Sequence, residues 1–185
     1  MCDVFTSERG KSCELPGGKR YQIDGERLEN AFFKNIPKSI KSNMSVNIKP
    51  MDTRGNISVE LDMLYHSKET KRVISFEIKG VNKNTINSVE RQHKLIKQGI
   101  RQKMFLFDHY SDYTIDVVYC FVIGRKTDDT KIDDSEWKTV TKSTNPLNFN
   151  PQFIKQLKEN GFKVAIGETP RQCAKKAFLL LNLIK

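Results

Sequence analysis

Histidine and cysteine are scarce in this chain of 185 residues, three and four respectively, and neither is grouped. Cys2, Cys13, Cys120 and Cys173 form no C-x-x-C pair, and no histidine stands at zinc-ligand spacing from them, which argues against a structural zinc site. No apolar run approaches the ~20 residues of a membrane span. The opening residues, MCDVFTSERGKSC, lack the apolar core of a signal peptide. These absences predict an intracellular protein of cytoplasm or nucleus, neither secreted nor held in a membrane, with its thiols reduced. Cys120 lies within an apolar run and is expected in the core. Low-complexity tracts and internal repeats are missing as well. Negative charge is the minority sign: 22 Asp and Glu against 32 Lys and Arg give a formal net charge of +10. That balance points to a polyanionic partner, nucleic acid first and an anionic membrane surface second.

What is present centres on residues 60–79, ELDMLYHSKETKRVISFEIK. Side chains alternate across a strand, so Val59, Leu61 and Met63 are expected on one face and Glu60, Asp62 and Leu64 on the other. In the second run Ile74, Phe76 and Ile78 oppose Ser75, Glu77 and Lys79. The polar connection between the runs predicts an antiparallel hairpin with Asp62, Glu77 and Lys79 gathered on one sheet face. Two carboxylates suit a hard divalent cation, since magnesium takes one or two protein carboxylates and fills its other positions with water and phosphate. A protonated Lys79 is no ligand, but it offsets charge that builds on a phosphorane and assists deprotonation of the attacking water. The plainer alternative is a solvated face with surface ion pairs worth about 0–1 kcal/mol each.

Asp62 followed by Glu77-Ile78-Lys79 resembles the D…(D/E)-x-K signature of the PD-(D/E)xK nuclease superfamily, although Leu61 stands where a proline often precedes the aspartate. Gly25-Glu26-Arg27-Leu28-Glu29 similarly resembles the G-x-x-x-E of that superfamily's first helix. The resemblance implies a restriction-endonuclease-like α/β fold: an αβββαβ core whose mixed central sheet is flanked by helices, with C-terminal strand and helix additions. It also implies hydrolysis of phosphodiesters with Mg2+ or Mn2+. Asp62, Glu77 and the Ile78 carbonyl would hold the metal, Glu29 a second metal or the water, and Lys79 would act on the nucleophile. Glu60 is a spare carboxylate on the face of Asp62.

In chain order, residues 1–20 are expected as an irregular arm and 21–185 as one domain, with its core at 21–125 and an extension at 126–185. A first helix is expected from an Asp24 cap to Ile36, with Leu28, Phe32 and Ile36 inward. Met44, Val46 and Ile48 predict a strand. A second long helix is expected over about 85–107, begun at Asn84, Thr85 or Asn87, with Ile86, Val89, His93, Ile96 and Ile100 as its apolar stripe. Its flank carries Arg91, Gln92, Lys94, Lys97, Gln98, Arg101, Gln102 and Lys103. Arg91, Lys94, Lys97 and Arg101 would track a nucleic-acid backbone, and the resemblance implies that Gln92 or Gln98 enters the metal site.

Residues 115–123, IDVVYCFVI, predict a central strand covered on both faces. The acidic stretch 128–136 lacks the EF-hand Gly and Glu positions and reads as a solvated loop. A short strand near Trp137–Thr141, a helix from Pro151, a strand over Phe162–Ile166 and a terminal helix from Pro170 complete the expectation. The favoured partner is DNA over RNA: cap-snatching viral RNA endonucleases share the core but often carry a histidine on the first helix, and none precedes His66. A nuclease of repair, recombination, restriction or viral replication is implied, as a two-fold dimer if it cuts both strands. The alternative of another class is a nucleic-acid-binding module of this fold without turnover.

Overall fold

Each strand expected from alternation or from an apolar run is found in the computed structural model, which describes residues 28–51, 58–81, 88–123, 125–126, 137–138 and 150–184. The arm, Cys2, Cys13, the Asp24 cap, Glu26, the expected helix starts Asn84, Thr85 and Asn87 with Ile86, and the acidic stretch 128–136 lie outside the described residues. The elements are helix α1 (28–34), α2 (Lys38–Lys41), strands β1 (Met44–Ile48), β2 (Leu61–Ser67) and β3 (Arg72–Gly80), helix α3 (Val89–His109), β4 (Thr114–Val122), β5 (Arg125–Lys126), β6 (Trp137–Lys138), α4 (Pro151–Glu159), β7 (Lys163–Gly167) and α5 (Pro170–Leu180). Five strands form one mixed open sheet in the order β1-β2-β3-β4-β7, and β5 pairs with β6 in a separate ribbon. β1, β2 and β3 run antiparallel, while β3, β4 and β7 are parallel.

Helices cover both faces of the sheet. Met63, Ile74, Phe76, Ile78, Val118, Cys120 and Val122 pack against α1 and α5 through Leu28, Phe32, Ala174 and Phe178. The rings of Phe32, Phe76 and Phe178 meet at its middle, with centroids 5.8–6.5 Å apart. Leu64, Val73, Val117, Tyr119 and Phe121 pack on the other face with Leu95 and Leu106 of α3 and Phe153 and Leu157 of α4. Cover on both faces explains why β4 reads as a continuous apolar run instead of an alternating one. The later helices begin as their sequences require: Asn150 accepts from the Gln152 and Phe153 N–H groups and Thr169 from that of Gln172, each with proline at the first helical position. Among the described residues no helix is long and apolar enough to cross a membrane.

Helix α3 departs from the expected stripe. Its cap is Ser88, which accepts from the Arg91 N–H, and the buried residues are Gln92, Leu95, Gly99, Gln102 and Leu106. Val89 (62%), Ile100 (39%), Met104 and Phe107 are exposed, and so is His93. The physical reason lies beneath the helix. Gly99 passes so close to β4 that a Cβ there would stand 2.5 Å from the Tyr119 hydroxyl and 2.9 Å from Phe162 Cζ. The Tyr119 hydroxyl donates to the Leu95 carbonyl at 2.5 Å. Glycine, which costs helix propensity at this position, is what permits the approach.

A second departure concerns β2. Val59 and Leu61 pack on the α3 side with Leu64, not beside Met63 on the α1 side. Backbone pairing of β2 with β3 begins at Met63 and Phe76, and at Asp62 the side chain replaces the ladder by accepting the Ile78 N–H at 2.8 Å. The two-residue alternation therefore fails at the place where the candidate site opens.

Candidate active site

The β3–β4 register sets Glu77 beside Tyr119, so the closest approach of α3, at Gly99, is centred next to Glu77. Gln98 and Gln102, one before and three after that glycine, reach the carboxylate. Gln98 Nε2 donates to Glu77 Oε1 at 2.8 Å and Gln102 Nε2 to Oε2 at 2.6 Å. Gln102 is itself locked: it also donates to the Glu60 carbonyl at 3.0 Å and accepts from Ser75 Oγ at 3.2 Å. Glu77, Gln102 and Ser75 are fully buried, and burying an unsatisfied polar group costs on the order of 1–3 kcal/mol. The polar inward face of α3 is thus a consequence of placing a carboxylate under it.

Asp62 comes from the neighbouring strand. Its Oδ2 accepts the Ile78 N–H and lies 3.4 Å from Lys79 Nζ. The same ammonium forms a close ion pair with Glu77 Oε1. Glu77 is 0% exposed and Asp62 4%, while the Lys79 side chain keeps 31% of its surface in water. Two carboxylates and one ammonium leave a net negative charge in a largely dry site. Burial, then the Asp62 carboxylate, push Glu77 up to about 7, against the opposing pull of Lys79 and Gln102. Burial lowers Lys79, but Asp62 and Glu77 outweigh it and hold the ammonium above its ordinary value. Burial, then Glu77, also raise the Tyr119 phenol.

Glu29 is half-buried on α1. Its neighbour Leu28 reaches the far end of β3, where Leu28 Cδ2 would lie 3.4 Å from a Cβ on Gly80. Among the described residues no three His, Cys, Asp or Glu side chains converge as a metal-holding group. The spare carboxylate Glu60 pairs with Lys49 at 3.2 Å. Of the two glutamines from which one was expected to enter, Gln98 contacts Glu77, whereas Gln92 is buried nearer the start of α3 and is 6% exposed. Arg91, Lys94, Lys97 and Arg101 are exposed. Helical spacing puts Arg91, Lys94 and Arg101 on the stripe of Gln98, with Lys97 turned further outward. Lys103 leans instead towards the turn at Gly161, where a Cβ would meet its Nζ at 2.8 Å.

Sequence reasoning missed Gln102 and Ser75. A usable signal was present: Leu95, Gly99, Gln102 and Leu106 recur at helical spacing, with Gly99 marking the tight contact. No protein-family model matches the chain, and no curated protein does.

Proposed function

We propose that this protein is a divalent-metal-dependent nuclease of the PD-(D/E)xK type, with a restriction-endonuclease-like fold, that hydrolyses phosphodiester bonds in nucleic acid, DNA before RNA. The observation that carries the proposal is the Lys79 ammonium lying against one oxygen of each of two buried carboxylates at the end of β3. A buried ion group of this kind is a poor way to stabilise a fold, since apolar residues of similar volume do as well or better. Convergent titratable groups with a displaced pKa are typical of sites that do chemistry.

The donor set fits magnesium or manganese: two hard carboxylates, held close enough to share one positive charge, leave the remaining positions to water and phosphate. Asp62, Glu77 and the Ile78 carbonyl would hold the ion. When bound, such an ion supplies Lewis-acid stabilisation of the charge that develops on the phosphate. Gln98 and Gln102 fix both oxygens of Glu77, so its orientation is set before any ligand arrives. Lys79, held protonated by its neighbours, donates to the phosphate or to the attacking water and offsets negative charge; it does not serve as the resting base. Arg91, Lys94 and Arg101 line the flank of α3 beside Gln98 and suit backbone contacts that are blind to base identity.

The test is cleavage of labelled single- and double-stranded DNA and RNA with magnesium, with manganese and with chelator. Metal-dependent cutting by the native protein, abolished in Asp62→Ala and Glu77→Ala while nucleic-acid binding survives, is expected. Binding without cutting on every substrate would replace the nuclease with a non-catalytic nucleic-acid-binding module.

A further inference from the structure

Resting on the nuclease reading, we propose that Lys79 is an exchangeable internal counter-cation. Its ammonium and the divalent ion compete for the same carboxylate oxygens, and a phosphodiester, by drawing the ammonium away, makes metal and substrate load together.

The three charged groups differ in freedom. Both oxygens of Glu77 are held by amides of α3, Oε1 by Gln98 and Oε2 by Gln102. Asp62 is held by the Ile78 N–H. Neither carboxylate has another place to go. Lys79 differs: it is the last charged residue of β3, its side chain is 31% exposed, and its flexible four-carbon stem carries the ammonium without any fixed fork. Its Nζ sits against Asp62 Oδ2 and Glu77 Oε1, the oxygens that face each other across the site. A cation held by these two carboxylates meets the ammonium already there, so entry requires Lys79 to swing towards solvent. Swinging out forfeits two charge-assisted contacts unless another anion receives the ammonium. A phosphodiester brought in along Arg91, Lys94 and Arg101 is such an anion. Each ligand then removes the obstacle to the other, and by linkage the gain in affinity is the same whichever binds first. Without substrate the site resists metal.

Calorimetric titration tests this with calcium, another hard cation that seeks oxygen ligands, for the native protein and for Lys79→Met, each with and without a short oligodeoxynucleotide whose integrity is checked afterwards by electrophoresis. Losing one charge-assisted contact corresponds to about a tenfold change in affinity. Lys79→Met is therefore expected to bind calcium at least tenfold more tightly than the native protein in the absence of oligonucleotide. The oligonucleotide is expected to tighten calcium binding at least tenfold more in the native protein than in the variant. A neutral methylphosphonate oligonucleotide should produce no such tightening. If Lys79→Met does not fold, Lys79→Gln takes its place, and the comparison of anionic with neutral oligonucleotide on the native protein needs no variant. Equal or weaker calcium affinity in the variant, or equal coupling in both proteins, overturns the exchange and leaves the nuclease reading intact. Absence of calcium binding in every folded form overturns the nuclease reading and the exchange together.

Discussion

Replacing Gln102 with alanine should cost far more stability than replacing Ile100, two residues away on the same helix, although hydrophobicity alone says the reverse. Gln102 is fully buried and makes three hydrogen bonds, one of them to the Glu77 carboxylate. A bond to a charged group contributes about 2 kcal/mol and a neutral one about 1. Gln102→Ala is therefore expected to lose about 3–4 kcal/mol, a large part of the ~5–15 that holds a typical domain. Ile100 is 39% exposed on the outer side of α3, and alanine is the better helix former, so Ile100→Ala should lie within about 0.5 kcal/mol of the native protein. Urea unfolding of both variants at one pH with chelator present gives the comparison. If Ile100→Ala were the costlier of the two, α3 would be turned by roughly a third of a revolution from the orientation described, with Gln98 and Gln102 off Glu77.

Further outcomes follow from the same contacts. Glu77, raised to about 7 from 4.5, keeps its proton in the folded protein over a range where the unfolded chain releases it; its contribution to metal-free stability is complete below about 4.5 and is lost as pH rises to about 7. Metal-free stability should therefore fall across that range, and Glu77→Gln should flatten the profile of urea midpoints between pH 4.5 and 8. Gly99→Ala, despite a gain in helix propensity of about 1 kcal/mol, should destabilise by about 2 because its methyl group meets the Tyr119 hydroxyl and the Phe162 ring; thermal unfolding checks this. Lys94→Ala and Arg101→Ala should weaken binding alike for all sequences and each reduce the slope of log K against log salt by about 0.9, measured by fluorescence anisotropy over a salt series.

Much of the framework was legible because it depends on local chemistry. Alternation and apolar runs marked the strands, proline and its cap residue marked the starts of α4 and α5, and Cys173, Ala174, Ala177, Phe178 and Leu181 were recognisable as the inner face at the chain's end, all at most 1% exposed. Period two along β3 put Glu77 and Lys79 on one face, whereas Asp62 joins them where the alternation of β2 breaks, through its bond from the Ile78 N–H. The stripe of α3 was not legible, and the reason is physical: periodicity finds the apolar face of a helix, but here the inner face is built from Gln92, Gln102 and Gly99 among two leucines. Gln102 and Gly99 face inward because a carboxylate and a tyrosine on the sheet below them demand a partner and a close approach, and that demand exists only after β3 and β4 are side by side. The same holds for Glu60, whose sequence position suits the site but whose carboxylate pairs with Lys49. Residue types and local spacing determined the strands and the chemistry available to them; which amides close on Glu77, and that one lysine is shared by two buried carboxylates, was decided by packing α3 across the sheet, because burial creates hydrogen-bond and charge-pairing needs that no single segment can satisfy for itself.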